Sequence, residues 1–335
     1  MTAPAPRLTV GLPVYNGEHY LAQSLEALLG QTFGDFELVV SDNASTDGTA
    51  GICHDFADQD RRVRYVRQPQ NIGAAPNHNH VVGLARGDLF KWASGDDLYA
   101  RDLLRVCVDA LDAHPEVVMA HSWTAAVDGN GRVTQALDYP LRTDSPDPAV
   151  RLRSMLYGNA GDDGDPVADH GVIRADDCYG VVRTAVMRRV APHDSYYYAD
   201  KVWSVDLALQ GPFHQHPDWL YFRRDHPERA EHANPTVRSR CANLDPRRAD
   251  PLRHPVARLY GEYVLGYVRA IGRAPLSVRD RRRCRAVLAG WLASRATRAV
   301  DGTRRRAAAR PGPSQQDLPR IPVDALVAGR GPAAP

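Results

Sequence analysis

FELVVSDNASTDG, residues 36–48, is an apolar run that stops on a carboxylate and then opens a helix. Leu38, Val39 and Val40 follow one another without a polar break, as in a strand buried on both faces. Asp42-Asn43 ends that strand, and Ser45-Thr46-Asp47 supplies the side-chain acceptors that a first helical turn needs. The preceding segment has the same form. Residues 8–14 (LTVGLPV) read as a buried strand that turns at Asn16-Gly17, and Leu21, Leu25, Leu28 and Leu29 then recur at helical spacing.

Working outward, residues 63–67 read as a third strand and 76–84 as a helix. Residues 88–93 give a fourth strand stopping at Ser94-Gly95-Asp96-Asp97, 103–111 a helix, and 117–127 a long strand. This alternation predicts an α/β fold with a mostly parallel sheet flanked by helices. Ligands of such sheets sit beyond the carboxyl ends of the strands. Those ends carry Tyr15-Asn16, Asp42-Asn43 and Asp96-Asp97. Past Pro140 the pattern loosens. Residues 158–177 are acidic and glycine-containing, the composition of a mobile surface loop, and 219–223 read as a short strand. Residues 255–271 and 277–300 form two arginine-rich amphipathic helices, and the tail beyond Gly302 has the composition of disorder.

Bulk properties narrow the function. A net charge of +2 over 335 residues makes no case for nucleic acid as a partner. The five cysteines are odd in number, widely spaced and without a CxxC pair, which argues against a disulfide framework or zinc knuckle. No secretory h-region and no membrane-length apolar run is present, so a cytoplasmic location is expected. The first strand is not followed by G-x-G-x-x-G, which excludes a dinucleotide dehydrogenase, nor by the glycine-rich lysine loop of a nucleotidyltransferase.

Three groups of residues could carry chemistry. Asp42 could accept hydrogen bonds from a base or ribose, or simply shape the turn before a capped helix. Adjacent Asp96 and Asp97 repel unless a cation relieves them, and magnesium or manganese favours such oxygens shared with phosphates; the plain alternative is an acidic turn. Asp200 follows Tyr196-Tyr197-Tyr198-Ala199 and could be a general base or a helix N-cap. Arg223, Arg224 and His226 could meet a departing diphosphate.

Taken in order, VGLPVYNG (10–17), LVVSDNASTDG (38–48), Asn71-Ile72-Gly73, and Gly87-Asp88 with the strand to Asp96-Asp97 resemble the family 2 nucleotide-sugar glycosyltransferases of GT-A fold. The resemblance covers residues 7–130 well and 179–229 more loosely. It implies a nucleotide pocket with Pro13, Tyr15, Asn16, Asp42, Asn43, Asn71 and Gly73, and a Mn2+ or Mg2+ ion held by Asp96 and Asp97. It implies Asp200 as catalytic base and the Arg223-Arg224-Asp225-His226 segment closing over the donor phosphates. Two positions depart from the family: Ser94 stands where an aspartate is usual, and Ala199 where a glutamate often precedes the base.

The implied activity is inverting transfer of a sugar from a nucleotide diphosphate to an acceptor hydroxyl, on a secondary metabolite, glycolipid or cell-surface glycan precursor. The competing reading is a nucleotide-sugar-binding scaffold with a decayed site, prompted by Ser94 and Ala199. The expected organisation is a GT-A domain over residues 1–230, with a donor half at 7–130 and an acceptor half at 131–230. A helical extension (231–301) and a disordered tail (302–335) follow. The extension is either a solvated face or a contact with a membrane surface or a second copy.

Overall fold

The computed structural model describes residues 5–136, 141–157 and 176–302; most of the expected 158–177 loop and the tail beyond Gly302 lie outside them. Nine strands are present among the described residues: β1 (Leu8–Val14), β2 (Phe36–Asp42), β3 (Val63–Arg67), β4 (Leu89–Trp92), β5 (Leu98–Tyr99), β6 (Met119–Val127), β7 (Val133–Ala136), β8 (Val181–Arg183) and β9 (Phe213–Arg224). The helices are α1 (Leu21–Leu29), α2 (Thr49–Gln59), α3 (Ala74–Gly83), α4 (Leu103–Ala113), α5 (Pro148–Tyr157), α6 (Thr184–Met187), α7 (Ala199–Gln210), α8 (Ala230–Ala233), α9 (Val237–Leu244), α10 (Val256–Arg273) and α11 (Val278–Gly302).

All strands join one sheet in the order β3-β2-β1-β4-β8-β6-β9-β5, with β7 on β6. The first four strands run parallel, and β9 runs parallel to β6. β8 is antiparallel to both its neighbours, β5 to β9 and β7 to β6. The sheet is thus mixed, with a parallel half, β1 to β4, where the unbroken apolar strands β1 and β2 lie. β1 lies between β2 and β4, so the chain reverses its direction of travel across the sheet there, and a crevice opens at the carboxyl ends.

One apolar core lies under α1 and α4, and a second under α3, α6 and α7. A third joins α5 and the far face of α7 to α10 and α11 through Leu152, Tyr263, Tyr267, Leu288 and Trp291. Full burial of such side chains stabilises by about 1.5–3 kcal/mol each, which docks the arginine-rich helices firmly. Outward, α10 leaves Tyr260, Leu265 and Val268 exposed.

The loop into α3 meets the end of α9 through Gly73. Its φ is +90°, and a Cβ there would lie 2.5 Å from the Leu244 carbonyl oxygen and 2.9 Å from Pro246 Cδ. Gly73→Ala is therefore expected to destabilise the fold by about 2 kcal/mol or more. A lowered urea midpoint checks this; an unchanged midpoint would refute the close approach.

Candidate active site

The carboxyl ends of β1, β4 and β9 converge on a cleft of 570 Å³. Pro13, Tyr15 and Asn16 enter it from β1, Ser94 and Asp96 from the turn after β4, and His226 from the segment after β9. Asn16 takes φ +51°, a left-handed conformation that asparagine tolerates. Its N–H donates to Ser45 Oγ at 2.9 Å, and its Oδ1 accepts from the Thr46 N–H at 2.9 Å. The turns after β1 and β2 therefore hold each other, and the cleft floor is pre-formed.

Asp96 and His226 are brought together across the sheet, with Oδ2 3.0 Å from Nε2. The Ser94 hydroxyl donates to Asp96 Oδ1, so the residue that departs from the family pattern braces the carboxylate. Burial works against the ionised form of Asp96. The hydrogen bonds from His226 and Ser94, with the charges of Arg229 and His226, outweigh it and hold the pKa below the usual value. The other ring nitrogen of His226, Nδ1, is buried without a hydrogen-bond partner among the described residues. The Tyr20 ring lies between His226, 4.6 Å away, and the guanidinium of Arg224, at 4.5 Å.

Arg224 is fully buried. It donates to the carbonyls of Asp96 and Gly129 at 2.8 and 2.9 Å and to Gln23 Oε1 at 2.8 Å, so it positions the Asp96 turn and does not line the cleft. Asp97 points the opposite way from Asp96. It accepts hydrogen bonds from the Tyr221 hydroxyl and, at 2.9 Å, from the Arg224 N–H. Burial, with the neighbouring charge of Asp96, pushes its pKa up to about 7. Beneath it Lys91 is buried over the rings of Tyr99 and Tyr221, and burial draws its pKa down to about 8.

The remaining predicted residues lie around the cleft without lining it. Asp42 is fully buried, with Oδ1 accepting from Ser45 N–H at 2.8 Å and Oδ2 from Tyr65 and Arg67, each at 2.7 Å. Asn43 clamps the loop before α3, bonding Asn71, Ile72 and Gly73. Arg223 stands 3.9 Å from Glu231. Ala199 opens α7 and Asp200 is its second residue; the N-cap is Tyr198 and not Asp200, and the Tyr198 φ of +60° is an outlier for an aromatic residue. Burial raises the Asp200 pKa, Glu231 adds to the rise, and Lys201 opposes it. Of the three basic residues expected at the phosphates, His226 alone lines the cleft.

Sequence reasoning missed His19, Tyr20, Glu228, Asn234 and Asn243, which complete the walls. His19 Nδ1 lies 2.9 Å from Glu228 Oε2 across the cleft, and that hydrogen bond raises the pKa of the imidazole. The only sequence signal was the polar cluster that follows Asn16-Gly17.

No group of three or more His, Cys, Asp or Glu residues gathers at ligand spacing among the described residues. A magnesium-type ion does not need one, since it takes one or two protein ligands and fills its shell with substrate phosphates and water. Asp96 fits that role: a carboxylate on the cleft wall, held ionised by the hydrogen bond from His226 Nε2, which orients it. Asp97, with its oxygens taken by Tyr221 and Arg224, does not reach the same space.

Residues 9–168 match the family model described as Glycosyl transferase family 2. Glycosyltransferase GlyG of Streptococcus pneumoniae is 33% identical over 97 residues, covering 29% of this chain and 32% of that protein. An uncharacterized glycosyltransferase of Haemophilus influenzae is 32% identical over 126 residues, covering 38% of this chain and 50% of that protein. The chain thus spans half or less of the length of these relatives. Among solved structures, S. aureus TarS 1–349 in complex with UDP-GlcNAc aligns over 90% of this chain and 76% of its own, with a TM-score of 0.60 at 19% identity. The sheet order, the cleft at the ends of β1 and β4, and the family match agree: residues 9–168 match glycosyltransferase family 2, within a chain of GT-A fold.

Proposed function

We propose that the chain is an inverting, hexosyltransferase-type enzyme that moves a sugar from a nucleotide diphosphate donor to an acceptor hydroxyl. The observation that carries this reading is the Asp96–His226 pair on the wall of a pre-formed cleft beside Tyr15 and Asn16. Tyr15, 47% exposed, offers a ring for the nucleobase, and the Asn16 turn offers polar groups to the ribose. Asp42 and Asn43 support these turns from below, and Asn71 and Gly73 support Ala74, which lines the cleft.

Asp96, oriented by His226, would hold the Mn2+ or Mg2+ ion, which when bound supplies positive charge against the leaving diphosphate. Asp200 takes the proton of the acceptor hydroxyl. The acceptor oxygen bonds to the anomeric carbon as the bond to the diphosphate oxygen breaks on the opposite face, which inverts that centre. The strained Tyr198 at the N-cap of α7, two residues before Asp200, and the raised Asp200 pKa support this role, since both are costs that a purely structural helix start would not need. The acceptor is a secondary metabolite, glycolipid or cell-surface glycan precursor. The exposed apolar residues of α10 would suit contact with a lipid-bearing acceptor at a membrane surface. No described helix is long and apolar enough to cross a membrane.

The test is nucleoside diphosphate release from UDP-, GDP- and dTDP-sugars with Mn2+ or Mg2+. Release from one donor class, stopped by EDTA, is expected. No release and no donor-induced rise in melting temperature with any of them would overturn the proposal.

A further inference from the structure

α10 is apolar on two sides, and the described residues cover only one of them. Its charged residues, Arg258, Glu262, Arg269 and Arg273, recur at helical spacing along a single edge. Leu259, Tyr263, Tyr267 and Ile271 face the shared core. The outward stripe, Gly261, Val264, Leu265, Val268 and Gly272, carries no charge. Leu265 is 48% and Val268 45% exposed, and a Cβ added at Gly261 or Gly272 would meet nothing within 4 Å. A helix that is apolar nearly all round is normally buried all round, so the outward stripe calls for an occupant.

Charge identifies the occupant. Residues 252–298 carry eleven arginines against two acidic residues, Glu262 and Asp280, in a chain whose net charge is only +2, so the rest of the molecule is net negative. On the α10 edge Arg258 pairs with Glu262 and Arg273 with Asp206. The unpaired charge comes chiefly from Arg279, Arg282 and Arg285, in the first turns of α11 and near the end of α10. They are exposed, and their guanidinium groups make no hydrogen bond or ion pair with another described residue.

An apolar stripe bordered by arginine suits a helix lying in the plane of a lipid surface. We propose that α10 docks by its outward face on a surface of anionic lipid, with the arginines of α10 and α11 at the headgroups. A second copy of the chain would set one arginine-rich face against another, a like-charge contact. A nucleic acid would answer the arginines and leave the apolar stripe in water. Anionic lipid answers both. Tyr260, 45% exposed on α10, packs its ring 5.7 Å from Tyr197, three residues before Asp200, so docking brings the Asp200 segment toward the lipid. The proposal rests on the lipid-contact reading of α10 given above and is independent of the chemistry of transfer.

The experiment floats the full chain on vesicles of phosphatidylcholine alone and of phosphatidylcholine and phosphatidylglycerol in equal parts. The mixed vesicles are expected to bind it at least about tenfold more tightly, and added salt should weaken that binding. Leu265→Ser combined with Val268→Ser, both at exposed positions, should weaken it about tenfold or more. Arg279→Gln combined with Arg282→Gln and Arg285→Gln should do the same. Asp96→Asn should bind the vesicles as the native chain does, whatever becomes of transfer. The proposal is overturned if the mixed vesicles bind no better than phosphatidylcholine. It is overturned too if the Leu265 and Val268 variant binds them as well as the native chain, which would assign the binding to other arginines, such as Arg304, Arg305 and Arg306. A native dimer in sedimentation that this variant dissolves would also overturn it, since the stripe would then hold a second copy.

Discussion

Asp200→Asn is expected to reduce turnover by about 10²–10⁴-fold while the donor still binds with native affinity. The amide keeps the size of the side chain and its place at the start of α7, and it removes the ability to accept a proton. Since Asp200 does not line the donor cleft, the dissociation constant for the nucleotide sugar should not move. The pH profile gives a second readout. Burial, with the charge of Glu231, raises the Asp200 pKa, so the base is disabled as pH falls through a value above the ordinary carboxylate range. The acid limb of turnover should lie there and should be absent from the residual activity of the variant.

Stability gives a third readout, and its sign is fixed by the same shift. A carboxyl whose folded pKa lies above its unfolded one is disfavoured as an anion in the fold. It costs no stability below the unfolded pKa, and the cost grows as pH rises through the raised value. Asp200→Asn removes that cost, so at neutral pH the variant should be as stable as the native chain or more so. Normal turnover, or turnover lost together with stability and donor binding, would refute the base assignment.

Much of this could be read from the residues because the central strands are unbroken apolar runs with polar stops. β1 and β3 fall at the expected bounds, and β2 and β4 within one residue of them at each end. The helical periodicity of α10 is strong for the same reason: one face is buried in a shared core. β9 was read only at its apolar end, because its first half, HQHPD, is polar and shifts register against β6 between Ser122 and Thr124. The two-residue β5 and the short α8 lack the length for any period to show.

Which way each functional side chain faces was harder to read. Arg224 looks in sequence like a free cation. It is consumed by Gln23, Gly129 and the Asp96 carbonyl, partners that only the tertiary fold assembles. The opposed directions of Asp96 and Asp97 had no local signal, because both fall in the bend between β4 and β5, where the alternation of a strand does not apply.

That opposition makes the last prediction discriminating. Asp96→Asn should lower kcat/KM on the order of 10²–10³-fold, because it removes the ionised group of the pair that faces the diphosphate. His226→Ala should act in the same direction, raising the Mn2+ concentration that half-saturates activity, since it removes the imidazole 3.0 Å from Asp96. Asp97→Asn should behave differently. The amide oxygen can still accept from the Arg224 N–H while its NH2 donates to the Tyr221 hydroxyl oxygen, and the carboxyl it replaces carries a pKa raised by burial to about 7. Its effect should fall on melting temperature, with half-saturating Mn2+ within about threefold of native, less than the roughly tenfold that loss of a supporting contact around a metal causes. Titrating all three variants with Mn2+ at fixed donor decides the matter. If Asp97→Asn raises the Mn2+ requirement more than Asp96→Asn does, Asp97 must turn into the cleft when the donor binds, and the carboxylate facing the diphosphate is the other one.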